Sequence, residues 1–256
     1  SNSNTTSSSR TQALIHKMCM FMPQCFANVR IAPSTEAAEF MFGKGCVDKG
    51  KAKLIHNGVD TAIFKYTEKD RSNIRREFNI DENSLVVGHV GRFNQQKNHT
   101  FLIEIFSEII KINSNAVLML VGEGKEIEAI KNKVKTVGIE NNVIFTGVRR
   151  DIPALLSAFD VFAFPSFYEG MPNTVIEAQS TGLPCVIADT ITKEVDFTGL
   201  VHYMSLQDSA KQWAETVLKY ATKERIDTKD FFWKEKYDID SVVEQFIRLC
   251  YMDNIN

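Results

Sequence analysis

The sequence predicts an α/β fold in which a parallel sheet carries helices on both faces. From Leu85 onward, short apolar runs alternate with helical patterns, and the connections between them are short. Strands that are buried on both faces are apolar along their whole length, as these runs are. The chain has 256 residues, with 44% hydrophobic and 24% charged side chains, which suits one large or two small globular domains.

The pattern from Leu85 onward predicts five strands and six helices. Strands are expected at residues 85–90, 116–121, 143–145, 161–164 and 185–188, and helices at residues 98–112, 125–137, 152–159, 209–222 and 240–252. Another helix follows the strand at residues 161–164. Asn173 is its predicted N-cap, and Gly182 and Pro184 end it.

The region before Leu85 has a weaker pattern. Helices are expected at residues 11–26, 35–42 and 67–78, and strands at residues 29–32 and 53–58. Ser34 is the predicted N-cap of the second helix. The first ten residues are rich in Ser, Thr and Asn and contain no apolar core, so they predict a flexible leader rather than a signal peptide.

Composition argues against several classes of protein. A formal net charge of -2 gives no reason to expect a nucleic-acid partner, and the apolar runs are too short to span a bilayer. The cysteines are odd in number and form no CxxC pair, which predicts a reduced, cytoplasmic setting and no zinc site. They are Cys19, Cys25, Cys46, Cys185 and Cys250. The scattered histidines are interpreted as structural.

The loop after the strand at residues 161–164 predicts an anion site. It contains Glu169 and Gly170 and leads into a helix N-terminus, where free amides and the helix dipole favour an anion. Glu177 lies eight positions after Glu169, and carboxylates accept hydrogen bonds from hydroxyls rather than from phosphates. Phosphate-binding amides beside hydroxyl acceptors predict a nucleotide-sugar pocket, although either acid alone could be a solvated surface residue.

Other strand ends carry residues of the same kind. Arg92 offers a fixed fork for phosphate oxygens, and Lys97 offers a mobile charge just before a helix. Gly122 permits close approach of a ligand or simply a tight turn. Arg149 is expected to line the nucleotide pocket, and Asp151 to be an N-cap. Because these loops meet at one edge of a parallel sheet, they predict a site together where each alone would be weak.

At this point the sequence resembles the nucleotide-sugar-dependent glycosyltransferases of family 4, which have the GT-B fold. The resemblance runs from about Ser34 to Tyr251 and is strongest over residues 90–189. The motifs that carry it are Asn57-Gly58-Val59-Asp60, Gly91-Arg92, Lys97, Gly122-Glu123-Gly124, Gly147, Glu169-Gly170-Met171-Pro172 and Glu177-Ala178. Lys97-Asn98-His99, Glu177-Ala178-Gln179 and residues 191–195 look like a subgroup that builds capsular or exopolysaccharides.

The resemblance implies a role for each motif. Glu177 would hold the ribose hydroxyls, Glu169 would lie at the donor sugar, and Arg92 and Lys97 would hold the diphosphate. The residues expected at the reacting centre are Glu169, Arg92 and Lys97, and those expected to bind the nucleotide are Gly91, Gly122, Val148, Arg149, Gly170, Met171, Pro172, Asn173, Thr174 and Glu177. The implied donor is a nucleotide sugar, UDP-linked, and transfer would retain the anomeric configuration without a metal. The Asp238-Ile239-Asp240 motif is interpreted as a helix cap rather than a cation site.

The chain departs from the family in two places. Asp189-Thr190 stands where many members have a glycine pair, so a backbone contact to the sugar is not expected there. In addition, too few residues precede Gly91 for a full N-terminal domain of ~100–150 residues. We therefore expect residues 1–58 to be the leader and a remnant of the acceptor domain, residues 59–237 to be the Rossmann-like donor-binding domain, and residues 238–256 to be a helix that crosses back to the first domain.

The expected activity follows from this division. The donor domain should bind the nucleotide sugar weakly, and transfer to a saccharide or lipid-linked acceptor should be lost or very slow. The apolar stripe of residues 11–42 would be exposed, reordered or buried in a dimer. A full-length enzyme would be cytoplasmic, with a peripheral place at the inner membrane face as one option. A UDP-sugar epimerase and a non-catalytic nucleotide-sugar-binding module remain alternatives, whereas the lack of a G-x-G-x-x-G motif disfavours a dehydrogenase.

Overall fold

The structure is a computed structural model that describes residues 27–222 and 224–252. The chain divides into two compact units, one ending at His56 and the other beginning at Asn57. The helix predicted over residues 11–26 lies outside the described residues. In the described part of the chain, no helix is long and apolar enough to cross a membrane.

The first unit is small. Strand β1 (Ile31–Ala32) pairs in parallel with β2 (Lys53–Leu54), and both strands are shorter than the sequence predicts. Helix α1 (Thr35–Phe42) has the predicted bounds and the predicted N-cap, because the Ser34 hydroxyl accepts a hydrogen bond from the Ala37 amide at 3.1 Å. Its described core consists of small side chains, namely Ala32, Ala38, Cys46 and Ala52.

The second unit contains the predicted parallel sheet. Among the described residues its strands are β3 (Val86–Val90), β4 (Val117–Val121), β5 (Val143–Gly147), β6 (Val161–Phe164), β7 (Cys185–Ala188) and β8 (Val201–Met204). They lie in the order β5-β4-β3-β6-β7-β8, and each neighbouring pair is parallel. The chain therefore builds one half of the sheet outward from β3 and then returns to build the other half from β6.

Helices flank this sheet. They are α2 (Glu68–Glu77), α3 (His99–Ile112), α4 (Ile127–Val137), α5 (Ile152–Ala158), α6 (Asn173–Ser180), α7 (Ala210–Tyr220), α8 (Lys229–Lys234) and α9 (Ile239–Met252). Right-handed crossovers that run in opposite directions from β3 and β6 place their helices on opposite faces. Consistent with this, α3 contacts α4 and α7, and α2 contacts α5. The α/β fold with helices on both faces is confirmed.

The sequence pattern does not predict β8 or α8. In β8 only Val201 is buried, and the other side chains are half-buried, so the strand has no continuous apolar run. Helix α8 has six residues, which is too short to show a helical period. By contrast, α7 begins with a capping box in which Ser209 and Gln212 exchange hydrogen bonds, close to the predicted start.

The junction of β3 and β6 is tightly packed. A Cβ on Gly88 of β3 would lie 1.9 Å from the Phe159 ring, so only glycine fits there. Asp160 follows Phe159 and joins the two strands: its amide donates to the Val86 carbonyl at 2.8 Å, and its carboxylate accepts from the Val86 amide at 2.7 Å.

The same carboxylate binds two buried arginines of α2. Arg71 Nη2 lies 2.6 Å from Asp160 Oδ1, and Arg75 Nη2 lies 2.8 Å from Oδ2. The guanidinium groups also donate to carbonyls at the C-terminus of α5, including that of Ala158, where the helix dipole favours a cation. This network, which we name the Asp160 clamp, consists of Asp160, Arg71 and Arg75 and ties α2 and α5 to the sheet.

Loss of the clamp's carboxylate should destabilise the second unit. Asp160→Asn leaves two buried guanidinium groups without a counter-charge, and we expect a loss of about 3–5 kcal/mol in the free energy of unfolding. Urea denaturation of the whole chain measures this loss. As a control, Glu244→Gln removes an exposed pair with Arg248 and should cost less than about 1 kcal/mol. Equal losses for the two variants would contradict the role of the clamp.

Candidate functional site

The carboxyl edge of the sheet contains a switch point between β3 and β6. The connections from these neighbouring strands run in opposite directions, and in doubly wound sheets such connections diverge and leave a crevice between them. Ligands of doubly wound sheets bind in this position. The loops are residues 91–98 after β3 and residues 165–172 after β6, which carry most of the predicted site.

These two loops are bonded to each other across the crevice. Lys97 Nζ lies 2.8 Å from Glu169 Oε1. The Phe167 amide donates to the Gln96 carbonyl at 2.9 Å, and Gln96 Nε2 donates to the Tyr168 carbonyl at 2.8 Å. The structure thus brings Lys97 and Glu169 together, although they are 72 positions apart in the chain.

Local structure fixes the position of Lys97. Residues 95–97 form a 3-10 turn whose N-cap is Asn94, and the Asn94 side chain accepts from the Lys97 amide at 3.2 Å. Asn98 then has a left-handed φ of 54°, which lets α3 begin in a new direction. The Lys97 ammonium also lies 4.5 Å from the centre of the Phe164 ring, a cation–π contact.

The start of α6 differs from the prediction at one residue. Pro172, not Asn173, occupies the N-cap position, and Asn173 is the first helical residue. The Asn173 side chain makes no cap for its own helix, and its oxygen accepts a hydrogen bond from Asn57 Nδ2 at 2.9 Å. The amides of Asn173 and Thr174 are too early in α6 to reach an intrahelical acceptor, so they remain available for an anion.

Glu177 lies one turn further along α6, on the same face as Asn173 and Thr174. Burial raises the pKa of its carboxyl from 4.5 to about 7. Within the described residues, no side chain or amide donates to this carboxylate and no cation pairs with it. A half-buried carboxylate of this kind is suited to accept hydrogen bonds from a ligand that donates them.

Glycines let the neighbouring loops approach closely. A Cβ on Gly122 would lie 2.2 Å from the Gly91 carbonyl oxygen, and Gly122 has a φ of 133° that other residues rarely adopt. The Gly122 amide donates to the Gly147 carbonyl at 2.9 Å. The loops after β3, β4 and β5 therefore meet at the same edge, as the sequence predicts. Gly170 is exposed and has open space around it.

Other predicted site residues have different surroundings. Arg92 is exposed and has no ion-pair partner among the described residues. Val148 is 68% exposed. Arg149 binds Glu77 through Nη1 at 2.5 Å and Asp151 through Nε at 2.8 Å, and these carboxylates raise its pKa. Asp151 occupies the N-cap position of α5 but makes no side-chain cap, because Arg149 holds its carboxylate.

A buried histidine pair lies beneath the site. His89 Nδ1 is 2.9 Å from the Ala163 carbonyl, which can only accept, so Nδ1 carries the proton. The His99 ring meets the His89 ring edge-on with centroids 4.7 Å apart. Burial lowers the pKa of His99 to about 4 and holds that of His89 well below its usual range. Both rings are therefore neutral near pH 7, consistent with their structural interpretation.

Sequence reasoning missed two residues at this edge. Asn57 reaches the start of α6, and Gln96 links the two loops. Asn57 belongs to a motif that carries the resemblance but is not among the residues expected to bind the nucleotide, and nothing in the chain's local pattern indicates which side chain Gln96 would meet. Asp238 does act as predicted, because its Oδ1 accepts from the Asp240 amide at 3.0 Å at the start of α9. In residues 27–222 and 224–252, no three His, Cys, Asp or Glu side chains cluster as metal ligands.

Comparison with known proteins identifies the family. A family model described as glycosyl transferases group 1 matches residues 84–223, so the chain belongs to this family. A Bacillus subtilis protein named as glycosyltransferase EpsF is 34% identical over 200 residues, which cover 78% of this chain and 52% of that protein. The UDP-Gal:alpha-D-GlcNAc-diphosphoundecaprenol alpha-1,3-galactosyltransferase of Escherichia coli is 34% identical over 173 residues, which cover 66% of this chain and 44% of that protein.

Solved structures agree on the fold. HepE from Anabaena, crystallised in complex with UDP and glucose, matches with a TM-score of 0.77 at 22% identity, over 91% of this chain and 66% of that chain. This likeness supports a GT-B-type fold. The chain spans about half the length of the curated relatives it matches.

The raised pKa of Glu177 predicts a pH-dependent stability. Folding raises the pKa of this carboxyl from 4.5 to about 7, so it has no effect on stability at a pH where it is protonated in both the folded and the unfolded state. As pH rises from about 4.5 to about 7, the unfolded state loses the proton more readily than the folded state, and the free energy of unfolding falls. Glu177→Gln should therefore stabilise the chain by about 2 kcal/mol at pH 8 and by much less at pH 5. Urea denaturation at both pH values measures this, with Glu123→Gln, an exposed acid of the same edge, as control. An effect independent of pH would contradict it.

Proposed function

We propose that this chain is the donor-binding part of a glycosyltransferase that uses a nucleotide-diphosphate sugar, UDP-linked, and transfers the sugar with retention to a growing polysaccharide or a lipid-linked acceptor. Membership of the glycosyl transferases group 1 family supports sugar transfer. The E. coli relative supports a UDP donor, a lipid-diphosphate acceptor and an α-linked product, as its name specifies all three. The Anabaena structure holds UDP and glucose.

The observation that carries the proposal is the arrangement at the switch point. Lys97 and the first amides of α6 provide positive charge, while Glu169 and Glu177, which has no partner among the described residues, provide hydroxyl acceptors. In glycosyl transfer from such a donor, the nucleoside diphosphate leaves and its negative charge grows as the glycosidic bond breaks. Cations and amides aimed at that charge stabilise the transition state more than the ground state.

Each part of the donor then has a partner. Lys97 and the exposed Arg92 would bind the diphosphate beside Gly91 and Gly122, whose lack of side chains lets the loops after β3 and β4 meet at this edge. Glu177 would accept hydrogen bonds from the ribose. The remaining amides of the loop and α6, from Gly170, Met171, Asn173 and Thr174, would complete the anion site around Pro172. Val148 and Arg149 would border the nucleotide, with Arg149 held in place by its own ion pairs.

Binding of the acceptor and transfer of the sugar depend on the whole enzyme. The chain spans 52% of the Bacillus relative, and a GT-B enzyme encloses its reaction between two domains. We therefore propose that the chain alone binds the donor and transfers the sugar slowly or not at all. In the second case the chain by itself is a nucleotide-sugar-binding module without transferase activity. A cytoplasmic location fits this assignment, and a lipid-linked acceptor would be reached at the inner face of the membrane. A dimer would be one way to bury apolar side chains of the N-terminal remnant.

Nucleotide binding tests the proposal. Calorimetry should show heat of binding with UDP and UDP-glucose and none with NAD. Lys97→Ala and Arg92→Ala should each weaken UDP binding by about 1.5–3 kcal/mol, because each removes a charged hydrogen bond to phosphate. Glu123→Gln serves as the matched control on the same edge. Binding of NAD without binding of UDP compounds would overturn the proposal.

The ribose role of Glu177 has a separate test. Glu177→Ala should weaken binding of UDP by about 1.5–3 kcal/mol, which is typical of hydrogen bonds to a charged group. Binding of inorganic pyrophosphate, which has no ribose, should change little. Titration of both ligands into both proteins gives the comparison. Equal losses for UDP and pyrophosphate would show that Glu177 does not contact the ribose.

A further inference from the structure

We propose that Glu169 competes with the bound diphosphate for Lys97, and that it thereby favours release of the free nucleoside diphosphate over release of the intact nucleotide sugar. This inference rests on the proposed function and adds that one ion pair makes the protein bind the product less tightly than the donor. Its basis is the contact between Lys97 Nζ and Glu169 Oε1 at 2.8 Å.

The pair is close and largely shielded from solvent. The Lys97 side chain is 15% exposed and that of Glu169 is 10% exposed, so water screens their attraction less than it does for surface pairs. Neither side chain has another ion-pair partner in the described part of the chain. A diphosphate that binds Lys97 must therefore share the ammonium with this carboxylate or displace it.

The backbone keeps the carboxylate near the ammonium. The Phe167 amide and the Tyr168 carbonyl both bond to Gln96, the neighbour of Lys97, at 2.9 and 2.8 Å. Because these bonds hold the backbone immediately before Glu169, its Cα stays close to Lys97 when an anion arrives. Its negative charge then lies close to the phosphate oxygens, and the repulsion weakens binding of a bare diphosphate.

An intact donor compensates for this repulsion. The attached sugar offers hydroxyl groups that donate hydrogen bonds to the Glu169 carboxylate, whereas phosphate oxygens only accept. After transfer the sugar has left, the terminal phosphate has gained negative charge, and Glu169 has only Lys97 as a partner. The pair therefore re-forms at the expense of the Lys97–phosphate contact, and the product is bound less tightly than the donor.

Removing the charge of Glu169 tests the inference. Glu169→Gln keeps the size of the side chain and its ability to accept from a hydroxyl, but it no longer competes for Lys97. Calorimetry on the 256-residue chain should show binding of UDP and of inorganic pyrophosphate tightened about fivefold or more. Binding of UDP-glucose should tighten less or weaken, so the ratio of the UDP Kd to the UDP-glucose Kd falls. A gain in affinity cannot result from partial unfolding.

A second pair of variants tests whether the effect acts through Lys97. In the Lys97→Met background, adding Glu169→Gln should no longer tighten UDP binding by this amount, since the contested ammonium is gone. Glu123→Gln, which removes an exposed charge from the loop after β4, should change the UDP Kd less than twofold. Full tightening in the Lys97→Met background would mean that Glu169 acts only as a general negative charge, and the inference would be wrong.

The outcomes separate this inference from the proposed function. If the wild-type chain binds UDP and Glu169→Gln leaves that affinity unchanged or lowers it, competition is excluded while nucleotide binding stands. If the wild-type chain binds neither UDP nor pyrophosphate, the proposed function fails, and the role of Glu169 fails with it.

Discussion

The pairing of β3 with β6 is the constraint on which the site depends. Since the chain builds the sheet outward from both strands, their carboxyl ends lie side by side while their loops diverge. Gly88 leaves room for the Phe159 ring at this junction, and the Asp160 clamp fixes the start of β6 against Val86. Buried ion pairs often add little net stability but are costly to break. Here the clamp holds β3, β6, α2 and α5 in the arrangement that places the two loops of the site next to each other.

At the other end of the same two strands, the arrangement becomes a chemical site. The loops after β3 and β6 carry Lys97 and Glu169, and their backbones are bonded through Gln96, so opposite charges are held together by rigid neighbours. Helix α6 begins beside them and adds free amides, and Glu177 adds a carboxylate whose pKa burial raises to about 7. Under the proposed function, the cation and the amides would bind the central diphosphate of a nucleotide sugar, and the two carboxylates would accept hydrogen bonds from the ribose and the sugar on either side of it. The physical requirement is that these groups are held in place before the ligand arrives.

Much of this fold could be predicted because its signals are local. The buried strands are continuous apolar runs, and α1 and α7 begin with capping residues, so their positions follow from short stretches of sequence. The half-buried strand β8 and the short helix α8 lack such signals. Asn173 resembles an N-cap locally, but it is the first helical residue and its side chain bonds to the distant Asn57, which no local pattern indicates. The Lys97–Glu169 pair and the Asp160 clamp join residues more than seventy positions apart, so their partners follow only from the topology of the sheet.

A crystal structure of this chain with UDP would test the central claim most directly. The account predicts that the diphosphate lies against Lys97 and the first amides of α6, that the ribose hydroxyls donate to Glu177, and that the Lys97–Glu169 contact lengthens beyond its present 2.8 Å. UDP bound away from the carboxyl edge of β3 and β6, or bound there without contact to either Lys97 or Glu177, would contradict it.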